Sequence, residues 1–203
     1  MNYLAHLFLA DGSPESLIGN LLGDFLRGVD RTQYSEAIQQ GIRLHHAVDA
    51  FTDSHQIFAR SRNRLQPPYR RYAGVLVDIF YDHFLAARWA DYSREPLAVF
   101  SQAAYQTLST NEAILPERLR RMLPYMASED WLTSYRTREG VDRTLRRLSR
   151  RLKRENPLPT AVCQLDEHYQ ELETDFLVFF PQLMQFVQRR KERKGDGPLF
   201  GRV

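Results

Sequence analysis

Apolar positions along this chain recur at alternating spacings of three and four. The clearest run is Val162, Leu165, Tyr169, Leu172, Phe176, Phe179, Leu183 and Phe186, the period of one face of an α-helix. It predicts a long core helix, kinked at Pro181. A shorter face, Leu17, Leu21, Leu22 and Phe25, follows a Ser13 cap and a Pro14 suited to the first helical position, with Gly28 as the stop. Residues 36 to about 58 read as one helix behind a Ser35 cap, and about 69 to 90 as another. Further helices are expected over 2–10, 97–108, 117–122, 126–136 and 141–154, with Pro116 and Pro124 as breaks. No run of alternating β-branched residues lies between turn dipeptides, and no repeat period is visible. The expected fold is all-α: a single multi-helix domain over 1–190 and a flexible tail at 191–203.

Composition narrows the class. The 203 residues, 43% hydrophobic and 26% charged, are enough to bury a core and suit a globular domain. No apolar run approaches a membrane span. The apolar N-terminus lacks a basic leader region, so it does not read as a signal peptide. The lone Cys163 excludes an internal disulfide and fits a reducing compartment, so a cytoplasmic location is expected. Net charge is only +3, but arginines cluster at 60–71, 118–121 and 143–154. Each cluster alone could be a solvated helix face; together they suit an anionic partner.

Polar residues that interrupt the apolar faces carry the chemistry. Gly41 to His55 holds His45, His46, His55, Asp49 and Asp53, with His45, Asp49 and Asp53 rising as one stripe at i, i+4, i+8. Asp78 and Asp82, also i, i+4, lie in an apolar helix beside His83. His6 and Asp24 add single polar groups on apolar N-terminal segments, and only His168 follows His83. Taken singly, His6 could be a hydrogen-bonded core histidine, and His45/Asp49 a surface pair worth a few tenths of a kcal/mol. Asp78/Asp82 is harder to explain without a cation, because like charges on one apolar face repel. Their convergence would make a divalent-metal site. Nitrogen and oxygen donors without thiolate suit Mn, Mg, Fe or Zn, and the excess of carboxylates favours Mn²⁺ or Mg²⁺. Such a centre binds phosphate oxygens and lowers the pKa of bound water, which points to phosphoester hydrolysis. No Walker loop, no Gly-x-Ser-x-Gly elbow and no activating partner for Cys163 offers another route.

Several motifs are familiar in this order. Met1-Asn2-Tyr3-Leu4-Ala5-His6-Leu7, Gly19-Asn20-Leu21-Leu22-Gly23-Asp24-Phe25, the Gly41–Asp53 stretch and Asp78-Ile79-Phe80-Tyr81-Asp82-His83-Phe84 resemble the acyl carrier protein phosphodiesterase family. The resemblance continues through Ser128-Glu129-Asp130-Trp131-Leu132 and Leu165-Asp166-Glu167-His168-Tyr169. It implies a helical, HD-type, manganese-dependent hydrolase that removes 4′-phosphopantetheine from a serine of holo-acyl carrier protein. The chain departs from the wider HD pattern in lacking a contiguous His-Asp dyad: Asp82-His83 stands in reverse order.

The expected roles follow. Asp24, His45, Asp49 and Asp78 hold the metal. Asp82 orients water or a ligand, and His83 or His6 protonates the departing serine oxygen. Arg60, Arg62, Arg64, Arg70 and Arg71, with Arg143, Arg146, Arg147 and Arg150, dock the acidic carrier. Neither nucleic acid nor membrane is an expected partner. The competing readings are an HD-type nucleotide phosphohydrolase and a basic binding module without catalysis.

Overall fold

Residues 73–87 are buried on nearly every side, Leu76, Val77, Ile79, Phe80, Tyr81, Phe84 and Leu85 among them. A helix apolar almost all round must be wrapped by others. The structure, a computed structural model, describes residues 1–192 and does so with this helix at its centre. The elements are α1 (Tyr3–Phe8), α2 (Pro14–Leu22), α3 (Glu36–Ser54), α4 (Gln56–Arg64), α5 (Ala73–Ala87), α6 (Leu97–Thr110), α7 (Glu117–Ser128), α8 (Trp131–Ser134), α9 (Arg138–Arg151), α10 (Val162–Glu167) and α11 (Tyr169–Glu192). Helices α1, α4, α9 and α11 pack on α5. No strand occurs among the described residues, so the fold is all-α as expected. No helix there is long and apolar enough to cross a membrane.

Several boundaries differ from the periodicity; α2 ends at Leu22, short of Gly28, and the helix expected over 126–136 breaks at Asp130, whose φ is 41°. The helix expected over 36–58 is two, broken at His55, whose φ −80° and ψ 130° are extended. Ser54 turns its hydroxyl back to the Ala50 carbonyl, and His55 Nδ1 accepts from the Ile57 N–H to cap α4. The long C-terminal helix is likewise interrupted, at His168, and runs on through Pro181 to Glu192. Residues 191–192 therefore belong to α11, with Lys191 buried, while the rest of the expected tail, 193–203, lies outside the described residues. Pro124 does not break the chain but sits inside α7. Pro124 and Arg120, the residue whose carbonyl loses its partner, are both on the exposed face, while the buried stripe Leu119, Met122, Leu123, Met126 continues. The basic helix starts and ends earlier than expected, with Thr137 Oγ1 accepting from the Gly140 N–H as its cap.

Two features bring the site elements together. Helices α2 and α3 cross at Gly19 and Gly41: a Cβ on Gly19 would lie 2.3 Å from the Ile38 carbonyl oxygen and 2.8 Å from Gly41 Cα. Only the absence of side chains permits this contact. On the far side of α5, buried Asp175 of α11 accepts from Ser61 Oγ at 2.7 Å and pairs with Arg60 and with Arg64, whose Nε is 3.3 Å away. Ser61 also meets Tyr81 Oη at 2.8 Å. Arg60 and Arg64, expected to dock a carrier, here compensate a carboxylate that is 1% exposed. Asp175→Ala should cost about 3 kcal/mol, the low end for breaking a buried ion pair because both arginines still reach water. Denaturant unfolding should show this loss, and turnover per folded molecule should stay at the parent value.

Candidate metal centre

The site forms where α1, α3, α5 and the turn after α2 meet. On α3, His45 and Asp49 are one turn apart, and His45 Nε2 lies 3.0 Å from Asp49 Oδ2. The other Asp49 oxygen is 3.1 Å from His6 Nε2. One carboxylate is thus held by two imidazoles from different helices, and the two rings stack at 3.8 Å between centroids. Asp24, in the turn Gly23–Phe25, places Oδ1 3.8 Å from His45 Nε2.

Backbone contacts aim these groups. His45 Nδ1 donates to the Asn20 carbonyl at 2.7 Å, which aims Nε2 at the carboxylates. Gly23 gives the ring its room, because a Cβ there would lie 2.1 Å from His45 Cδ2. Asp82, buried on α5, accepts the Leu4 N–H at 2.8 Å and the Ala5 N–H at 3.1 Å. It satisfies the first turn of α1 and so holds His6 in place.

Charge is balanced inside the cluster. The buried Met1 ammonium is 2.9 Å from Asp78 Oδ1 and 3.4 Å from Asp49 Oδ1. Burial opposes that ammonium, but Asp78 and Asp49 outweigh it and raise its pKa to about 10. Burial lowers His6 to about 3, so its ring is neutral. It acts against the charged form of His45 too, but the bond to Asp49 and the nearby Asp24 overcome it and the pKa rises. Burial would also raise Asp49, yet its bonds to His45 and His6 pull it well below the ordinary carboxylate range. Asp24 and Asp78 are both raised by burial. Asp82 is lifted to about 7 by burial, although two backbone N–H groups favour its anion.

His6, His45 and Asp49 offer donor atoms that all lie within 4.8 Å of one another, the group among the described residues with that property. A neutral buried imidazole, a second one fixed in its Nδ1–H tautomer and an ionised carboxylate form a donor set that fits a divalent transition metal. Asp24 and Asp78 border the cluster. The place of His6 in the cluster makes its ring a candidate ligand.

Two further candidate residues make contacts of their own. Asp82 accepts from the first turn of α1 through both oxygens. His83 does not join the cluster: its Nδ1 donates to the Tyr135 carbonyl at 2.8 Å, and its Nε2 is 3.1 Å from Tyr169 Oη. Of the other residues weighed, Asp53 and His46 are exposed, and His55 caps α4.

Beside the centre opens a cavity of about 220 Å³. Met1, Asp24 and Asp78 line it, as do Arg118, Trp131, Arg147 and Arg151. The Arg147 guanidinium sits 4.1 Å from the Trp131 ring centroid and donates to Glu129. Shallow grooves continue outward past Arg121, Arg143, Arg150 and the 62%-exposed Tyr125. The residues missed from the sequence are Met1, Asn20 and Trp131. A terminal amine and a backbone carbonyl carry no side-chain signal, whereas Trp131 stood in a quoted motif without a role.

Comparison with known proteins places the chain in a family. The family model for acyl carrier protein phosphodiesterase matches residues 1–183. A protein named acyl carrier protein phosphodiesterase from Pectobacterium atrosepticum is 34% identical over 192 residues, covering 94% of this chain and 100% of the relative. One of the same name from Klebsiella pneumoniae is 35% identical over the same shares, and one from an Enterobacter species is 36% identical over 91% and 96%. No solved structure matches the chain. The motifs around His6, Asp24, His45 and Asp78 thus lie inside a match that spans most of the sequence, and the chain belongs to the acyl carrier protein phosphodiesterase family.

Proposed function

We propose that this protein hydrolyses the phosphodiester between 4′-phosphopantetheine and the serine of holo-acyl carrier protein, with a divalent metal held by His6, His45 and Asp49. The observation that carries the metal is the convergence of two imidazole Nε2 atoms on the two oxygens of one carboxylate. Mn²⁺ or Mg²⁺ suits a set rich in oxygen donors, and a bound divalent ion neutralises phosphate charge and activates water. Water adds at phosphorus, the bond to the serine oxygen breaks, and that oxygen takes a proton. The products are apo-carrier and 4′-phosphopantetheine.

The chain's own groups prepare this step. Asn20 orients His45, Asp82 fixes the helix that bears His6, and Asp24 and Asp78 face the cavity where a phosphate reaches the centre. The lone Cys163 supports a reducing, cytoplasmic setting.

The test is direct. Purified protein is incubated with holo-carrier and Mn²⁺, and the carrier mass is followed. The expected result is loss of the phosphopantetheine mass, stopped by EDTA and restored by Mn²⁺. A carrier mass that never changes, or release indifferent to EDTA, rejects the proposal.

Docking makes a second prediction. Arg147 is engaged by Glu129 and Trp131, and Arg146 by Asp142. Arg143 and Arg150 have no carboxylate partner among the described residues and line the outer groove with Tyr125. These two are the best placed to meet an acidic carrier helix. Arg143→Glu with Arg150→Glu should raise KM about tenfold with kcat little changed. A fall in kcat at constant KM would remove this surface from docking. Arg62, Arg70 and Arg71 also lack carboxylate partners there but do not line these grooves.

A further inference from the structure

The cavity beside the centre needs an occupant of its own. It is too small for a folded carrier, yet Asp24, Asp78 and Met1 belong both to it and to the cluster around Asp49. A group esterified to a phosphate at the centre therefore continues straight into it.

Its walls are of two kinds. Val75 and Ile79 from α5, Leu148 from α9 and the Trp131 ring are apolar. Arg118 and Arg151 supply hydrogen-bond donors, one Arg151 N–H being already on Met122 Sδ. Arg118 and Arg151 have no carboxylate partner among the described residues. The Arg118 guanidinium lies 5.4 Å from the Phe25 ring centroid, and that of Arg151 5.9 Å from the Trp131 centroid. A slender chain with branched methyl groups near the phosphate and hydroxyl and amide carbonyl acceptors further on matches this mixture.

We propose that the cavity is the subsite for the pantetheine arm, with Trp131, Val75 and Leu148 receiving its gem-dimethyl end and Arg118 and Arg151 its carbonyl oxygens. This rests on the hydrolysis reading above. It divides the substrate in two: the folded carrier stays outside on the arginine groove of α7 and α9, and the arm is threaded inward. Recognition of the arm is then separate from recognition of the carrier. Phosphodiesters without such an arm should be poor substrates even when their phosphate reaches the centre.

Trp131 is one of two tryptophans in the chain and reports on the cavity directly. The full-length protein is titrated with pantetheine, which has neither phosphate nor carrier, and tryptophan emission is followed. A saturable change is expected, absent in Trp131→Phe. Val75 is 37% exposed, so Val75→Tyr can be accommodated while it narrows the cavity. That variant should weaken pantetheine binding and raise KM for holo-carrier about tenfold, with kcat changed by less than about threefold.

Unchanged emission with pantetheine, or an unchanged KM in Val75→Tyr, overturns the proposal. So does a response to inorganic phosphate alone, which would make the arginines a simple anion site. If pantetheine binds at Trp131 but the wild-type protein releases nothing from holo-carrier, the cavity assignment stands and the hydrolysis reading fails.

Discussion

Asp49→Ala should lower release of phosphopantetheine from holo-carrier by about 10²-fold or more and strip divalent metal from the purified protein. The scale follows from the effect of residues that only support a ligand, whose loss already costs about 10–100-fold in affinity or activity. Asp49 is not such a supporting residue. Its two oxygens are what His6 and His45 share, at 3.1 and 3.0 Å, and one of them also faces the Met1 ammonium at 3.4 Å. Removing the carboxylate leaves two stacked imidazoles and a buried ammonium with only Asp24 and Asp78 nearby. Metal analysis of the purified variant, read beside its carrier assay, checks this. Circular dichroism should stay helical, because α3 is held by Ile38, Ile42, Leu44 and Val48, and none of these contacts changes. A variant that keeps both metal and turnover would remove Asp49 from the centre.

Gly19→Ala should cost about 3 kcal/mol or more of stability. Overpacking by one methyl usually costs about 1–3 kcal/mol because side chains rotate away. Here the atoms in the way are backbone, the Ile38 carbonyl oxygen at 2.3 Å and Gly41 Cα at 2.8 Å, and no rotamer change can relieve them. The two helices must separate. For a protein of this length that corresponds to a fall in Tm of roughly 6–12 °C. The same separation moves Asn20 and Asp24, which follow Gly19, away from His45, so metal affinity should fall with stability. Thermal unfolding with and without added Mn²⁺ measures both effects. An unchanged Tm would mean that the helices do not cross at these glycines.

The helical class and the cap at Ser13 are local. They follow from apolar spacing and from groups that bond within a few residues of themselves. The breaks at His55 and His168 left no mark in the pattern, because neither is a glycine or proline and each is a side-chain or dihedral adjustment inside a continuing apolar period. Pro124 misled in the other direction, since a proline whose lost bond faces water need not end a helix.

In the candidate site, spacing alone sufficed to pair His45 with Asp49, because both lie on one turn of one helix. Composition singled out His6, Asp24, Asp78 and Asp82 as polar groups on apolar segments. It could not assign them different tasks. Asp78 and Asp82 are alike in sequence, yet one faces the Met1 ammonium beside the centre and the other caps α1. His6 and His83 both lie on apolar helices, yet only His6 meets Asp49. Arg60 and Arg143 are both arginines in basic clusters, yet one neutralises buried Asp175 and the other lines an open groove. The amino-acid sequence by itself determined which residues could do chemistry and that the chain would be helical, since both depend on residue type and local period. Tertiary structure alone decided that His6, His45 and Asp49 share one centre and that a cavity walled by Trp131 and arginines adjoins it. Those contacts join segments from the N-terminus to α9, and their distances are set by how helices cross, through Gly19, Gly41 and Gly23, and not by any spacing along the chain.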